Sequence, residues 1–323
     1  MAEYLTNDTD LKKVADAIRS KAGVTDSLVF PDGFVSSISG IIMPTYTLVV
    51  KTSPSSAITV SKGTKTFSGT ADASGECTFS LPEAGVWTLT VGTKTQTVII
   101  GTQELEVKLT SEVFAENDWA QIIEACHSGN VPSSWVVGNS KPMTINNTDY
   151  TIDIIGKNHD TYTAGGTAPL TFQLHDCYLT NYRMNEGRTN SGGWNQSDMR
   201  GIYLPAILLL MPEEVQNGIR KVNKTTCSPG TKNLVTTSDK LFLLGESEIF
   251  SSITYTLARE GMRYEYYSTV SNSSIKLLNG SKADWWERSA YTSTVNFCFV
   301  SYRGDGNYNA ANNYKGVAFA FCF

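Results

Sequence analysis

The spacing of apolar positions changes along the chain, and each change predicts a different kind of structure. Near the start, Leu11, Val14, Ala15 and Ile18 recur at helical spacing; Asp8 or Thr9 can cap that helix and Gly23 suits its end. A second short helix is predicted from Pro31 in FPDGFVSSISGI, with Phe34 and Ile38 on one face. From residue 44 the period becomes two: Tyr46, Leu48, Val50; Trp87, Leu89, Val91; Val98, Ile100; Leu105, Val107, Leu109. Alternation punctuated by Gly, Ser, Asp and Pro clusters predicts antiparallel strands with one buried face. Roughly five to seven such strands in about 65 residues predict a small β-sandwich.

Beyond residue 110 the periods mix. SEVFAENDWAQIIEACHSG predicts a helix ending near Gly129, and MTINNTDYTIDIIGKNHD falls in a strand-rich stretch. ILLLMPEEVQNGIRKV predicts two helical pieces meeting at Pro212, DKLFLL at 239–244 is a strand candidate, and NFCFVSYRGDGNYNAANNYKGVAFAFCF predicts strand, turn, strand. The expected organisation is a helical attachment or oligomerisation segment at 1–43, a β-rich spacer at 44–112 and an α+β domain at 113–323. So small a helical segment cannot hide much apolar surface alone, which predicts packing on a partner or on copies of itself as a homo-oligomer.

Composition narrows the function classes. Hydrophobic content of 41% and charged content of 18% allow a real core. With 26 basic and 31 acidic residues, a formal charge of -5 and no basic block, no nucleic-acid partner is expected. The N-terminus, MAEYLTNDTDLKK, is polar from its first residues, so synthesis in a bacterial cytoplasm without a signal peptide is expected. Apolar runs such as 202–211 fall well short of the roughly 20 residues of a membrane span, and no membrane insertion is expected.

Candidate chemistry is sparse. Cysteines at 77, 126, 177, 227, 298 and 322 are scattered without a CxxC pair, which predicts buried thiols. His127, His159 and His175 form no HxH or HExxH pair, and no metal or cofactor is expected. The string His175-Asp176-Cys177 has the residue types of a Cys/His nucleophile, but on a strand Asp176 would point away from the other two and leave no group to orient the base. Glu213 and Glu214 suit a helix start. No G-x-S-x-G, P-loop or Rossmann fingerprint occurs, so no catalysis is expected.

The strongest signal lies near the end. Trp285-Trp286-Glu287-Arg288-Ser289 precedes a segment, 291–315, rich in Tyr and Asn, the composition of antibody binding loops. Gly304 and Gly306 allow a tight turn. By alternation Cys298 and Val300 share one strand face, and Phe297, Phe299 and Ser301 the other.

WWERSAY, NFCFV, a Gly-rich turn and GVAFAFCF resemble the C-terminal variable regions of proteins diversified by diversity-generating retroelements. IIGKNHD, GGWNQSDMR, LVTTSDKLFLLGESEIF and YEYY resemble the same phage and prophage domain family, over roughly 113–323. GECTFSLPEAGVWTLTVG resembles immunoglobulin-like spacer modules of surface and tail proteins, and YLTNDTDLKKVADAIRSKAGVTDSLVFPDGFVSSI an N-terminal segment of phage tail-associated proteins. The resemblances imply an α+β C-type-lectin-like domain, a fold shared with formylglycine-generating enzymes, preceded by a small all-β immunoglobulin-like sandwich and a short helical segment.

The function so implied is receptor binding or adhesion on a phage or prophage virion, with a host-cell surface protein or glycan as ligand and other tail proteins as partners of the N-terminal segment. The implied variable, ligand-binding positions are Tyr291, Thr292, Thr294, Asn296, Phe299, Ser301, Tyr302, Arg303, Asp305, Asn307, Tyr308, Asn309, Asn312, Tyr314 and Lys315. Trp285, Trp286, Arg288, Ser289, Phe297, Cys298, Val300, Gly316, Val317 and Phe319 fall on the scaffold motifs. The alternatives are a formylglycine-generating-type oxidoreductase, with Cys298 and Cys322 as its copper-binding pair, and a purely structural tail protein.

Overall fold

The structure is a computed structural model describing residues 8–23, 25–29, 31–39, 45–92 and 94–323. Phe30, Gly40, Ile41 and the Asp8 side chain, which figured in the predicted N-terminal helices, lie outside the described residues. The chain divides into two compact units, Met1–Lys108 and Leu109–Phe323.

In the first unit, helices α1 (Asp8–Ala22) and α2 (Asp32–Ser39) pack through Ala15, Ile18 and Phe34, with Leu28 alongside. Gly23, at φ 65°, follows the last turn of α1 in the left-handed conformation that ends helices. Val14 and Ile38, expected on the apolar faces, are 49% and 53% exposed. Two short helices meet along one narrow seam, which cannot cover a wider stripe.

Seven strands follow: β1 (Tyr46–Lys51), β2 (Ala57–Lys62), β3 (Lys65–Thr70), β4 (Glu76–Leu81), β5 (Gly85–Val91), β6 (Lys94–Ile100) and β7 (Leu105–Lys108). They form a three-stranded sheet, order β4-β1-β7, and a four-stranded sheet, order β3-β2-β5-β6. Trp87, Leu89, Val91, Val98 and Ile100 are buried while Val86 and Ile99, opposite each other in register, face outward. The inward set is the one alternation marks, and a one-residue slip would turn it to water. One pairing departs from the antiparallel expectation: β7 runs parallel to β1. Alternation specifies a buried face but carries no information on strand direction.

The second unit mixes α and β. A single 3-10 turn, Phe114–Glu116, precedes helix α3 (Trp119–Ser128). The predicted helix starts late because the Asn117 side chain accepts from Ser111 N–H at 2.7 Å and donates to the Val113 carbonyl at 2.9 Å, holding a turn. Asp118 and Gln121 then close a capping box, and Gly129 at φ 74° ends the helix. Strands β8 (Ser140–Ile145) and β9 (Thr148–Lys157) are joined by Asn146 and Asn147, both at positive φ, a two-residue hairpin turn.

β10 (Leu170–Leu174) is followed by helices α4 (Leu204–Leu208) and α5 (Glu213–Gly218), with Pro212 at the start of α5 as expected. Next come β11 (Val222–Cys227), β12 (Leu234–Asp239), α6 (Glu246–Ile249), α7 (Tyr266–Thr269), β13 (Lys276–Leu278) and β14 (Ser281–Ala283). The last strands are β15 (Trp285–Ala290), β16 (Asn296–Val300), β17 (Gly306–Ala310) and β18 (Ala320–Cys322). DKLFLL is not a strand: β12 ends at Asp239, and Leu241 to Leu244 form a buried connection with one isolated bridge, Phe242 to Ala320. A short apolar run marks burial without specifying a ladder.

β18 pairs with β10 in the sheet ordered β18-β10-β9-β8, and β15-β16-β17 form a second sheet. Trp119, Phe172, Phe321 and Phe323 make ring contacts with one another in the core. Among the described residues no helix is long and apolar enough to cross a membrane.

Candidate functional site

The sheet β15-β16-β17 builds the candidate surface. Every residue of β15 is buried, and Phe297 to Val300 of β16 are buried on both faces, so the split that alternation predicted between Cys298/Val300 and Phe297/Phe299 does not separate core from surface. Three residues of β15, Glu287 to Ser289, stand opposite Cys298 alone, because Trp286 pairs with Phe299 and Ala290 with Phe297. Such a bulge re-aims side chains. It sends Arg288 into a fully buried ionic network and leaves Glu287 buried with neither carboxyl oxygen hydrogen-bonded.

The Arg288 guanidinium donates to Glu248, to the Thr226 hydroxyl at 3.1 Å, and to the carbonyls of Leu243, Thr225 and Glu260 at 3.0 to 3.1 Å. Glu248 also takes Lys224 Nζ at 2.7 Å, and Lys224 reaches Asp160 at 2.8 Å. Glu260 accepts from Cys227 N–H at 2.8 Å and from the Ser289 hydroxyl. Burial pushes Glu260 up to about 7, although Arg288 pulls it down. Burial, then the neighbouring Glu246 and Glu260 charges, holds Glu287 well above the usual carboxylate range.

On this framework the predicted positions separate by exposure. Thr292, Thr294, Tyr302, Arg303, Asp305, Asn307, Tyr308, Asn312 and Tyr314 are exposed, and Tyr291, Asn296, Ser301 and Asn309 are half-buried. Phe299 and Lys315 correct the expectation, being 5% and 7% exposed. Lys315 Nζ is held 2.8 Å from Asp284 and sits 3.6 Å from the centre of the Phe299 ring, so both side chains form a layer beneath the surface. Gly304 makes the expected turn at φ 92°. Gly306 has another reason: a Cβ there would lie 3.2 Å from the Tyr255 ring and 3.3 Å from that of Phe250.

The tyrosines form three groupings. Tyr291 and Tyr308 stack at 4.0 Å with planes 3° apart, and Tyr255 meets both edge-on at 6.1 and 5.6 Å. Tyr302 lies under Arg303, whose Nε donates to its hydroxyl at 2.8 Å. Tyr314 lies under Arg183. Tyr255 and Arg183 lie outside 291–315, and sequence patterning did not mark them. Tyr255 is positioned by Glu246, which accepts from the backbone N–H groups of Thr254, Tyr255 and Thr256 at 2.6 to 2.9 Å and from the Thr256 hydroxyl at 2.8 Å.

Asn190, 1% exposed, ties down the connection before β16 by donating to the carbonyls of Tyr291, Ser293 and Asn296 at 3.0, 2.6 and 2.8 Å. Asn190→Ala is expected to cost about 1–3 kcal/mol, since the carbonyls of Tyr291 and Ser293 lose the amide donor and that of Asn296 keeps only the Tyr291 N–H. Denaturant unfolding measures this, with faster amide exchange at 291–296; an unchanged midpoint would show that the connection is held otherwise.

The groups with potential chemistry are dispersed. His127 Nε2 contacts the Gly218 carbonyl at 2.9 Å, and His159 stacks on Tyr264 at 3.8 Å. All six cysteines are free, five of them buried. Burial, then the Glu287 charge, raises the Cys298 thiol; burial, then Asp160, raises Cys322. Among the described residues no three His, Cys, Asp or Glu side chains converge to hold a metal ion.

The second unit is thus a mixed α+β domain that carries a tyrosine-bearing surface on a buried, ion-paired framework. Residues 170–323, from β10 to the last residue, match the family model described as Domain of unknown function (DUF6273). Among curated proteins none matches the chain.

Proposed function

We propose that the chain is a receptor-binding or adhesion protein of a phage or prophage virion. It presents a diversified ligand-binding surface on a C-type-lectin-like domain, with an immunoglobulin-like sandwich as spacer and the N-terminal helices as attachment to other tail proteins. Its ligand is a protein or glycan of the host-cell surface. The observation that carries this reading is the contrast between strands β15 and β16 and the residues in and around β17: Tyr302, Tyr308 and Tyr314 are 46%, 41% and 62% exposed on a framework whose Trp285, Trp286, Phe297 and Val300 are fully buried. Exposed rings add little to the core, whereas Tyr and Arg are enriched among the few residues that carry most of the binding energy of protein interfaces. The thiols of Cys298 and Cys322, held protonated by burial, make poor nucleophiles and metal ligands, which weighs against the oxidoreductase alternative.

Replacing Tyr302, Tyr308 and Tyr314 together with Ala is expected to abolish binding of the labelled protein to host-cell surfaces. Tyr302 and Tyr314 should each change stability by only about 0.5 kcal/mol, and Tyr308, stacked on Tyr291 and edge-on to Tyr255, by about 1–2 kcal/mol. Retained binding, or loss of folding, would overturn the reading.

A further inference from the structure

Asp149, Thr151 and Asp153 alternate along β9 and so share one side of the strand. Beside them the chain leaves β10 at His175, whose backbone N–H donates to the Thr151 carbonyl at 2.9 Å. The next residues are tied to the β13–β14 hairpin: Leu277 N–H donates to Asp176 Oδ1 at 2.8 Å, and Cys177 N–H to the Leu277 carbonyl at 2.9 Å. Strand, corner and hairpin enclose a cleft of about 220 Å³ whose polar lining is Asp149, Thr151, His175, Asp176 and Asn279. None of these residues belongs to the tyrosine surface.

The polar groups are held in place. His175 Nδ1 lies 2.7 Å from Asp153 Oδ2, which also accepts the Tyr266 hydroxyl of α7 at 2.7 Å. The Asp153 side chain is 4% exposed and the imidazole 53%, so a buried carboxylate orients a ring whose other edge meets solvent. Asp149 accepts the Thr144 hydroxyl at 2.6 Å. Lys276 of β13 lies below, its Nζ donating to the carbonyls of Leu174 and His175 at 2.7 Å. The Asp153 hydrogen bond raises His175 above its ordinary value, against burial and the Lys276 charge, with Asp176 acting in the same sense as Asp153.

We propose that this cleft is a second binding site and that its ligand is a neutral polyhydroxylated unit of monosaccharide size. Carboxylates only accept hydrogen bonds, so Asp149 and Asp176 call for donors. With Nδ1–H committed to Asp153, Nε2 accepts when the ring is neutral and donates when it is protonated. Several hydroxyl groups on one ligand can donate to each carboxylate and meet either state of the ring. An anion would meet two carboxylates, and an ammonium group, which only donates, cannot accept from the protonated imidazole as a hydroxyl does. The Thr151 hydroxyl and Asn279 amide add a donor and an acceptor each, and Leu179, 43% exposed, offers apolar contact to ring C–H groups. The volume falls below the roughly 300–1,000 Å³ of drug-sized sites, which suits one sugar unit rather than a chain segment.

The test titrates the full-length chain with D-glucose, D-galactose, D-mannose, N-acetyl-D-glucosamine and D-glucosamine, reading the His175 imidazole signal by NMR, assigned with His175→Asn. Isothermal titration calorimetry measures the affinity of the chain and of every variant. At least one neutral sugar is expected to shift that signal saturably. Asp149→Asn and His175→Asn should each weaken binding by about tenfold or more, and Tyr308→Ala should leave it unchanged. Thermal melting confirms that the variants are folded, and His175→Gln replaces His175→Asn if that variant is not. The proposal fails if no sugar shifts the signal at tens of millimolar, if D-glucosamine alone does so, or if both cleft variants bind normally. Loss of binding in Tyr308→Ala would place the sugar on the tyrosine surface and also overturn it.

Discussion

Replacing Arg288 with Met is expected to destabilise the second unit by about 3–5 kcal/mol, the range seen when one partner of a buried ion pair is removed. Met nearly preserves the volume, so the loss is electrostatic rather than a packing defect. It would leave Glu248, 2% exposed, with Lys224 as its remaining cation, and strip the carbonyls of Leu243, Thr225 and Glu260 of their donor. Those carbonyls lie on three separate segments, so the guanidinium ties together β11, the connection before α6 and the loop around Glu260. Equilibrium denaturation measures the effect; a loss below about 1 kcal/mol would show that the network relaxes around the gap. Adding Glu248→Gln to the Met variant should restore part of the loss, because the uncompensated charge is then gone.

A rise in pH from about 4.5 to 8 is expected to lower stability by roughly 3 kcal/mol, contrary to the usual behaviour of a paired carboxylate. Burial pushes Glu260 up to about 7, well above the ordinary value of 4.5 that it regains on unfolding. The folded state therefore binds this proton more tightly. The stability it contributes is complete below the unfolded value and is lost as pH climbs to about 7. Glu287, raised further by burial and by Glu246 and Glu260, acts with the same sign. Asp160, lowered to about 2 by Lys224 against its burial, and Glu248, lowered by Arg288 and Lys224, act oppositely and lose their contribution as pH falls. Maximum stability is accordingly expected on the acidic side of neutrality. Melting temperatures across the range check this, and Glu260→Gln, which can still accept from Cys227 N–H, should flatten the slope. Stability that rises steadily from pH 5 to 8 would refute the assignment.

Much of the local structure was legible in the amino-acid order. Trp87, Leu89 and Val91 alternate inward because successive residues of a strand face opposite ways, whatever the strand pairs with. Gly129 and Pro212 mark helix ends because caps and left-handed turns are satisfied within a few residues, whereas the Asp118 cap, inside the predicted helix, emerged only in the structure. The Asn146-Asn147 turn and Asn279-Gly280 between β13 and β14, all four residues at positive φ, are equally local, yet the pattern of apolar positions marked neither, although Asn-Gly is among the strongest short hairpin signals.

The candidate site was legible only as a composition. Tyr and Asn cluster in 291–315, but their exposure depends on elements far away in the chain. Phe299 and Lys315 leave the surface because β16 is covered on both sides and Asp284 draws the lysine inward, and no period within the segment encodes that. Tyr255 joins Tyr291 and Tyr308 because Glu246 gathers three backbone N–H groups from the following loop. The sequence by itself determined most of the helices and the strands of the first unit, the buried face of β5 and β6 and the mixed α+β character of the second unit, since those follow from interactions between near neighbours; it did not settle DKLFLL or the faces of β16. Tertiary structure alone decided that β7 runs parallel to β1, that β18 pairs with β10, and that Arg288 and Glu287, adjacent on one bulged strand, become a network hub and an unpartnered buried acid. The physical reason is that burial and hydrogen-bond partnership are set by whichever distant segments close over a residue.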